Sequence, residues 1–130
     1  MVYPGRHLFI MKIAITIAGN DWDSPVEARF GRARQFALVD TEADTFELHD
    51  NQQNLQAAQG AGIQSAQRVV ELDVEAVISG HCGPKAFQVL KAAGIRIYTA
   101  QDLTVREAVE KLKAGELPEA AAPDVAGHWI

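Results

Sequence analysis

Cysteine occurs once in the 130 residues, at position 82. One thiol excludes an internal disulfide framework, and a chain with one cysteine cannot by itself build a four-cysteine zinc or iron–sulfur site. It suits a reducing cytosol, so a cytoplasmic location is the expectation. Positive charge is also short: 12 Lys and Arg stand against 17 Asp and Glu, a formal charge of −5. A general nucleic-acid binder needs a basic face, so that class is set aside. No apolar run is long enough to span a bilayer. The patch Leu8-Phe9-Ile10 is too short for a signal-peptide core and has no small-residue cleavage site after it. No Walker-type lysine, dinucleotide glycine fingerprint or internal repeat is present.

What the chain does have is the profile of one globular domain: 48% hydrophobic and 22% charged residues. Residues 1–11 read as an N-terminal extension, 12–115 as the domain, and 116–130 as a flexible alanine- and proline-rich tail ending in His128-Trp129-Ile130. Residues 12–18, rich in Ile and apolar on both faces, predict a central strand. A polar loop follows over residues 19–25, beginning Gly19-Asn20. Residues 35–40 and 45–49 predict two more strands joined by a hairpin at 41–44. Residues 51–60, rich in Asn and Gln, have no period and read as a solvated or functional loop. Helical spacing returns over 61–72, with Ile63, Ala66 and Val70 along one stripe. Residues 74–79 predict a strand, 84–93 a helix with Gly94 at its end, and 95–98 a fifth strand. Thr104 and Glu107 form a capping box for a last helix, with Val105, Ala108, Val109 and Leu112 as its buried stripe and Gly115 at its close. Trp22 reads as a packing residue of its loop, and Trp129 as a tail residue.

The loop Ser79-Gly80-His81-Cys82-Gly83-Pro84 stands out. Its glycines allow a sharp turn and a close backbone approach to a ligand. Pro84 suits a first helical turn, whose open N–H groups favour an anion. The plain alternative is a tight turn in which Cys82 fills a small pocket.

The element order is βββαβαβα. A meander followed by parallel βα units gives a mixed five-stranded sheet with flanking helices, an α/β order that matches a ribonuclease H-like fold. Strands one, three, four and five then run one way and strand two opposes them. The loops after strands one, three, four and five leave one edge of the sheet, and Gly31-Arg32 reaches the same edge. Ligands of such sheets bind beyond the strands' carboxyl ends. Arg29, Arg32 and Arg34 supply local positive charge there.

Phe30-Gly31-Arg32-Ala33, Ala61-Gly62-Ile63, residues 78–87 and Ala93-Gly94-Ile95, in this order and spacing, resemble the dinitrogenase iron–molybdenum cofactor-binding family. The resemblance covers about residues 11–115. It implies a ribonuclease H-like fold and a non-enzymatic carrier of an anionic metal–sulfur cluster: the iron–molybdenum cofactor, its precursor, or a thiomolybdate-based cluster. It implies donor or acceptor proteins of that cluster as partners, with no nucleic acid and no membrane. The binding residues it implies are Gly19, Asn20, Phe30, Gly31, Arg32, Gly62, Gly80, His81, Cys82, Gly83 and Pro84. Such clusters bring their own sulfide, so a Cys82 thiolate or His81 imidazole would suffice as metal ligand. The segment 51–60 departs from some family members in having neither His nor Cys.

Two other classes compete. A small-anion or ligand sensor would use the same glycine loop and helix start. A ribonuclease H-like nuclease would need carboxylates on the central strand to hold two divalent cations, and residues 12–18 contain none. Cleavage of RNA, DNA or their hybrids with magnesium or manganese is therefore expected to be absent. An activity that copurifies with the protein and disappears in Asp40→Asn would refute this.

Overall fold

The computed structural model describes residues 12–51 and 61–121. The expectations for residues 1–11, 52–60 and 122–130 lie outside the described residues. Eight elements follow in order: β1 (Lys12–Ile17), β2 (Gln35–Asp40), β3 (Thr45–Asp50), α1 (Ala61–Glu71), β4 (Ala76–Ser79), α2 (Pro84–Ala92), β5 (Arg96–Thr99) and α3 (Val105–Lys113). The sheet order is β3-β2-β1-β4-β5. β2 is antiparallel to both neighbours, while β4 is parallel to β1 and β5 to β4. This is the predicted mixed α/β sheet, an order compatible with a ribonuclease H-like arrangement.

β1 lies at the centre, and both of its faces are buried. Ile13, Ile15 and Ile17 pack toward α3 with Ile78, Tyr98 and Leu112. Ala14 faces the other layer, among Phe30, Phe36, Val77, Leu90 and Ile97 under α1 and α2. Strand alternation thus assigns one residue set to each layer.

Three details differ from the expectation. The buried stripe of α1 runs through Ser65, Ala66 and Val69, while Val70 is exposed at 38%. The helix is rotated so that Ser65 meets Asn51, which a count of apolar spacing cannot foresee. The Asn/Gln-rich segment begins with Asn51 fully buried rather than solvated. The tail expected to be loose starts as ordered chain: Glu119 bridges to Tyr98, and Thr99 and Ala120 donate hydrogen bonds to the carbonyls of Pro118 and Ile97 alongside β5.

The β2–β3 hairpin turns through Asp44 at φ 57°. Asp40 Oδ1 accepts from the N–H groups of Glu42 (2.9 Å) and Ala43 (3.0 Å). The N–H of Ala43 first, then that of Glu42, hold this carboxyl below its ordinary value of 3.8. The folded pKa is depressed, so the contribution is present above pH 3.8 and lost as pH falls through the folded value. No described helix is long and apolar enough to cross a membrane.

The capping box of α3 forms as predicted. Glu107 N–H donates to Thr104 Oγ1 (3.1 Å), and Thr104 N–H donates to Glu107 Oε1 (2.9 Å). The next two donors, Val105 and Arg106 N–H, are taken by the carbonyls of Ser24 and Trp22 at 2.9 and 2.8 Å. Thr104→Ala is expected to cost about 0.5–2 kcal/mol in a urea or thermal melt. An unchanged midpoint would mean that the loop carbonyls alone hold the helix start.

Candidate functional site

The carboxyl ends of β1, β3, β4 and β5 lie at one edge of the sheet, with the start of β2 among them. The chain between β1 and β2 doubles back over this edge. Val26 bridges to Ile17, Glu27 N–H donates to Thr16 O (2.8 Å), and Gly80 N–H donates to Glu27 O (3.2 Å). Arg29 bridges in parallel to His81, and Phe30 N–H donates to His81 O at 2.9 Å. Beneath the crossing, the buried Thr16 hydroxyl lies 3.0 Å from both Glu27 O and Ser79 Oγ.

This crossing explains Gly80. A Cβ there would lie 2.5 Å from Ala28 O and 2.7 Å from Ala28 Cα. The close approach expected of this glycine is therefore to the chain itself. Gly83 differs: a Cβ would meet nothing within 4 Å. It is the N-cap of α2, exposed, with no side-chain cap and with Pro84 following. A Cβ on Gly62 would touch the Ala86 Cβ at an ordinary 3.7 Å, which places Gly62 at the contact of α1 with α2.

Phe30 and Cys82 are core residues, 1% and 2% exposed, in the layer beneath α1 and α2. Phe30 packs on Phe36 with ring centroids 5.8 Å apart. Gly31 and His81 are half-buried, and Arg32, Gly83 and Pro84 are exposed.

Beside the crossing, between the end of β1 and the start of β2, opens a cleft of about 540 Å³. Gly19 and Asn20 form one wall, and Arg32 and Arg34 reach it from the turn before β2. Glu27, Gln35 and Asp50 also line it, so the cleft carries both signs of charge. Of the predicted residues, the cleft brings together Gly19, Asn20 and Arg32. Gly62 and the loop from Gly80 to Pro84 are not in its lining; the loop is joined to it through the hydrogen bond from Gly80 N–H to Glu27 O and beside it through the Arg29–His81 bridge.

Hydrogen bonds hold the walls. Gln35 Nε2 donates to Gly19 O (3.2 Å) and Asn20 Oδ1 (3.0 Å). Ser24 Oγ accepts from Asn20 and Asp21 N–H, and a Cβ on Gly19 would collide with it. Opposite, Asn51 Nδ2 donates to Ala33 O (2.8 Å) and Ser65 Oγ (2.9 Å), and Asn51 N–H donates to Arg34 O (2.8 Å). Asn51 thus fixes the arginine-bearing turn to β3 and α1. Sequence reasoning missed Asn51, Gln35, Glu27 and Asp50. The only signal for Gln35 and Asp50 was that both are polar and stand opposite each other at the same end of the β2–β3 pair.

Among the described residues, no three His, Cys, Asp or Glu side chains gather in a way that could hold a metal ion. The arrangement offers two guanidinium groups and side-chain amides instead, beside two carboxylates, and the guanidinium groups suit an anion.

The model of the family described as dinitrogenase iron-molybdenum cofactor matches residues 11–115. The chain belongs to this family. An uncharacterized protein of Methanocaldococcus jannaschii is 30% identical over 110 residues, which cover 83% of this chain and 90% of that one. The apo form of the orange protein from Desulfovibrio gigas superposes with a TM-score of 0.85 at 40% identity, covering 88% of this chain and 96% of that chain. A structure from Thermotoga, described as a candidate NifB protein, gives 0.73 at 36% identity over 85% and 93%. Family membership supports a cofactor-binding role for the chain.

The two glycines of the loop make a paired test. Gly80→Ala is expected to destabilise by about 1–3 kcal/mol, because the added methyl must displace backbone. Gly83→Ala is expected to cost less, about 0.5–1 kcal/mol, because alanine is a poorer N-cap than glycine but its methyl meets no neighbour. Urea denaturation of both variants checks this, and equal effects would contradict the crossing geometry.

Proposed function

We propose that the protein binds and carries an anionic metal–sulfur cluster at the carboxyl edge of its sheet, without transforming it. The observation that carries this reading is the pair Arg32 and Arg34 on a polar cleft of about 540 Å³ in a chain of this family. An incoming cluster supplies its own sulfide ligands, so it needs charge and hydrogen-bond donors more than a cage of protein ligands. The donor set fits that demand. Glu27 and Asp50 on the same cleft temper the attraction. A carrier gains from that balance, because it must release its cargo to a partner. Donor and acceptor proteins of the cluster are the partners this reading requires.

Cys82 and His81 have a different standing from the arginines. Sγ of Cys82 sits inside the core layer, so coordination by it requires the loop after β4 to open. His81 is half-buried at the bridge to Arg29. The iron–molybdenum cofactor, its precursor and thiomolybdate-based clusters all share the anionic, sulfide-rich surface the cleft would recognise.

The test is an anaerobic titration of the apo protein with tetrathiomolybdate, alone and with copper or iron, followed by visible absorption. A charge-transfer band and metal retained after desalting are expected. Arg32→Ala should weaken binding about threefold to tenfold and flatten its salt dependence, as loss of one screened charge contact requires. Cys82→Ser separates two modes: an unchanged band means an electrostatic cradle, and a lost band means a coordinating thiolate in an opened loop. A wild-type protein that gains no band and keeps no metal would overturn the carrier reading in favour of a small-anion sensor at the start of α2.

A further inference from the structure

We propose that Asn51 is the positioning residue of the anion cleft: from beneath the surface it holds Arg32 and Arg34 on the same side of the chain, so that one ligand meets both guanidinium groups. The inference rests on the carrier reading and adds to it the residue that sets the affinity. Asn51 is fully buried and lies outside the cleft's lining, whereas both arginines line it. Between them stands Ala33, fully buried in the layer under α1 and α2. Its backbone is extended, at φ −71° and ψ 127°. In extended chain successive side chains alternate sides, so an inward Ala33 sends its two neighbours outward together. Their Cα atoms are then roughly 6–7 Å apart, the rise of two extended residues. Guanidinium groups so placed repel each other and gain from an anion that bridges them.

The short turn before β2 holds this alternation poorly by itself. Its own hydrogen bonds run from Arg32 N–H to Arg29 O at 3.1 Å and from Ala33 N–H to Phe30 O at 3.4 Å. The second is long for a hydrogen bond, and a single turn of this tight kind has poor bond geometry throughout. Phe30 and Phe36 anchor the two ends of the segment in the core. Asn51 takes the middle. Its Nδ2 donates to Ala33 O at 2.8 Å, and its N–H donates to Arg34 O at 2.8 Å. Nδ2 also donates to Ser65 Oγ at 2.9 Å, which ties the same carboxamide to α1. Asparagine suits the position because its amide nitrogen carries two protons and serves both partners at once. Aspartate would present an acceptor where the Ala33 carbonyl needs a donor. Alanine would leave that buried carbonyl without the bond.

The experiment measures tetrathiomolybdate affinity by anaerobic titration for wild type, Asn51→Ala, Arg32→Ala, the double variant and Ser65→Ala. Backbone order parameters are read by NMR relaxation on each ligand-free protein. Asn51→Ala should weaken binding about threefold to tenfold, as much as the loss of an arginine, because the site is no longer pre-organised. In that background Arg32→Ala should cost less than about twofold more, since a misplaced arginine has little left to lose. Ser65→Ala is the control for stability. It removes one buried bond of the same carboxamide and lowers the melting temperature, yet keeps the bond to Ala33, so its affinity should stay within about twofold of wild type. Ligand-free Asn51→Ala should show lower order parameters at Arg32, Ala33 and Arg34, and unchanged ones along β1 and β4. A residue that only supported the fold would shift the melt and leave the arginine's contribution intact. Asn51→Ser, whose hydroxyl has a single proton to give, makes the same comparison if Asn51→Ala does not fold. Equal losses in Asn51→Ala and Ser65→Ala, additive effects of Asn51→Ala and Arg32→Ala, or unchanged order parameters at residues 32–34 would each overturn the proposal. If wild type binds no tetrathiomolybdate the carrier reading falls, and the ligand-free order parameters still decide whether Asn51 holds the arginine turn.

Discussion

The passage of Ala28 over Gly80 is the constraint on which the site depends. Two backbones meet there with no room for a side chain. The contact lets residues 26–30 lie along the carboxyl edge as a further rung, with Glu27 bonded to both Thr16 and Gly80. Thr16 and Ser79 are buried polar residues in an apolar setting, and their hydroxyls meet each other and the Glu27 carbonyl. Polar groups satisfied in this way are tolerated in a core, whereas a displaced crossing would leave them without partners. From the end of this rung Phe30 enters the core, and two residues later Arg32 emerges at the cleft. The inward anchor and the outward charge are consequences of one short turn, Phe30–Arg32.

The cleft is bounded by two supports of different kinds. The loop over residues 19–25 is tied to α3, where Ser24 and Trp22 carbonyls hold the first helical N–H groups and Arg106 Nε lies 3.0 Å from Asp23 Oδ1. Trp22 packs on Phe46, with ring centroids 5.2 Å apart, beneath the Arg106 guanidinium at 5.6 Å. Asp23 first raises the pKa of Arg106, so the guanidinium stays charged through any accessible pH. The opposite wall hangs on Asn51 and Ser65, which are fully buried. One wall is thus held at the surface by stacked and charged side chains, and the other from inside by amide bonds.

Local signals made most of the fold legible. The central strand, the hairpin, the capping box and the C-terminal glycines of α2 and α3, at φ 78° and 73°, each depend on a few adjacent residues. Arg32 and the wall Gly19-Asn20 were legible once the strand order placed their loops at one edge. What stayed hidden depends on partners far along the chain. Nothing near Asn51 announces that Ala33, Arg34 and Ser65 surround it. The choice between Val69 and Val70 turns on a helix rotation set by that same contact. Gly80 was legible as a place of close approach, but its neighbour, Ala28, comes from a distant part of the chain, before β2.

The covered outer side of β5 has a consequence for how far the sheet can grow. A sheet with two open edges can add copies indefinitely and become a fibre. Here residues 117–120 lie along the outer side of β5 and occupy that edge. The short segment after α3 therefore acts as a stop against polymerisation at β5, and its loss would lay bare an adhesive edge there.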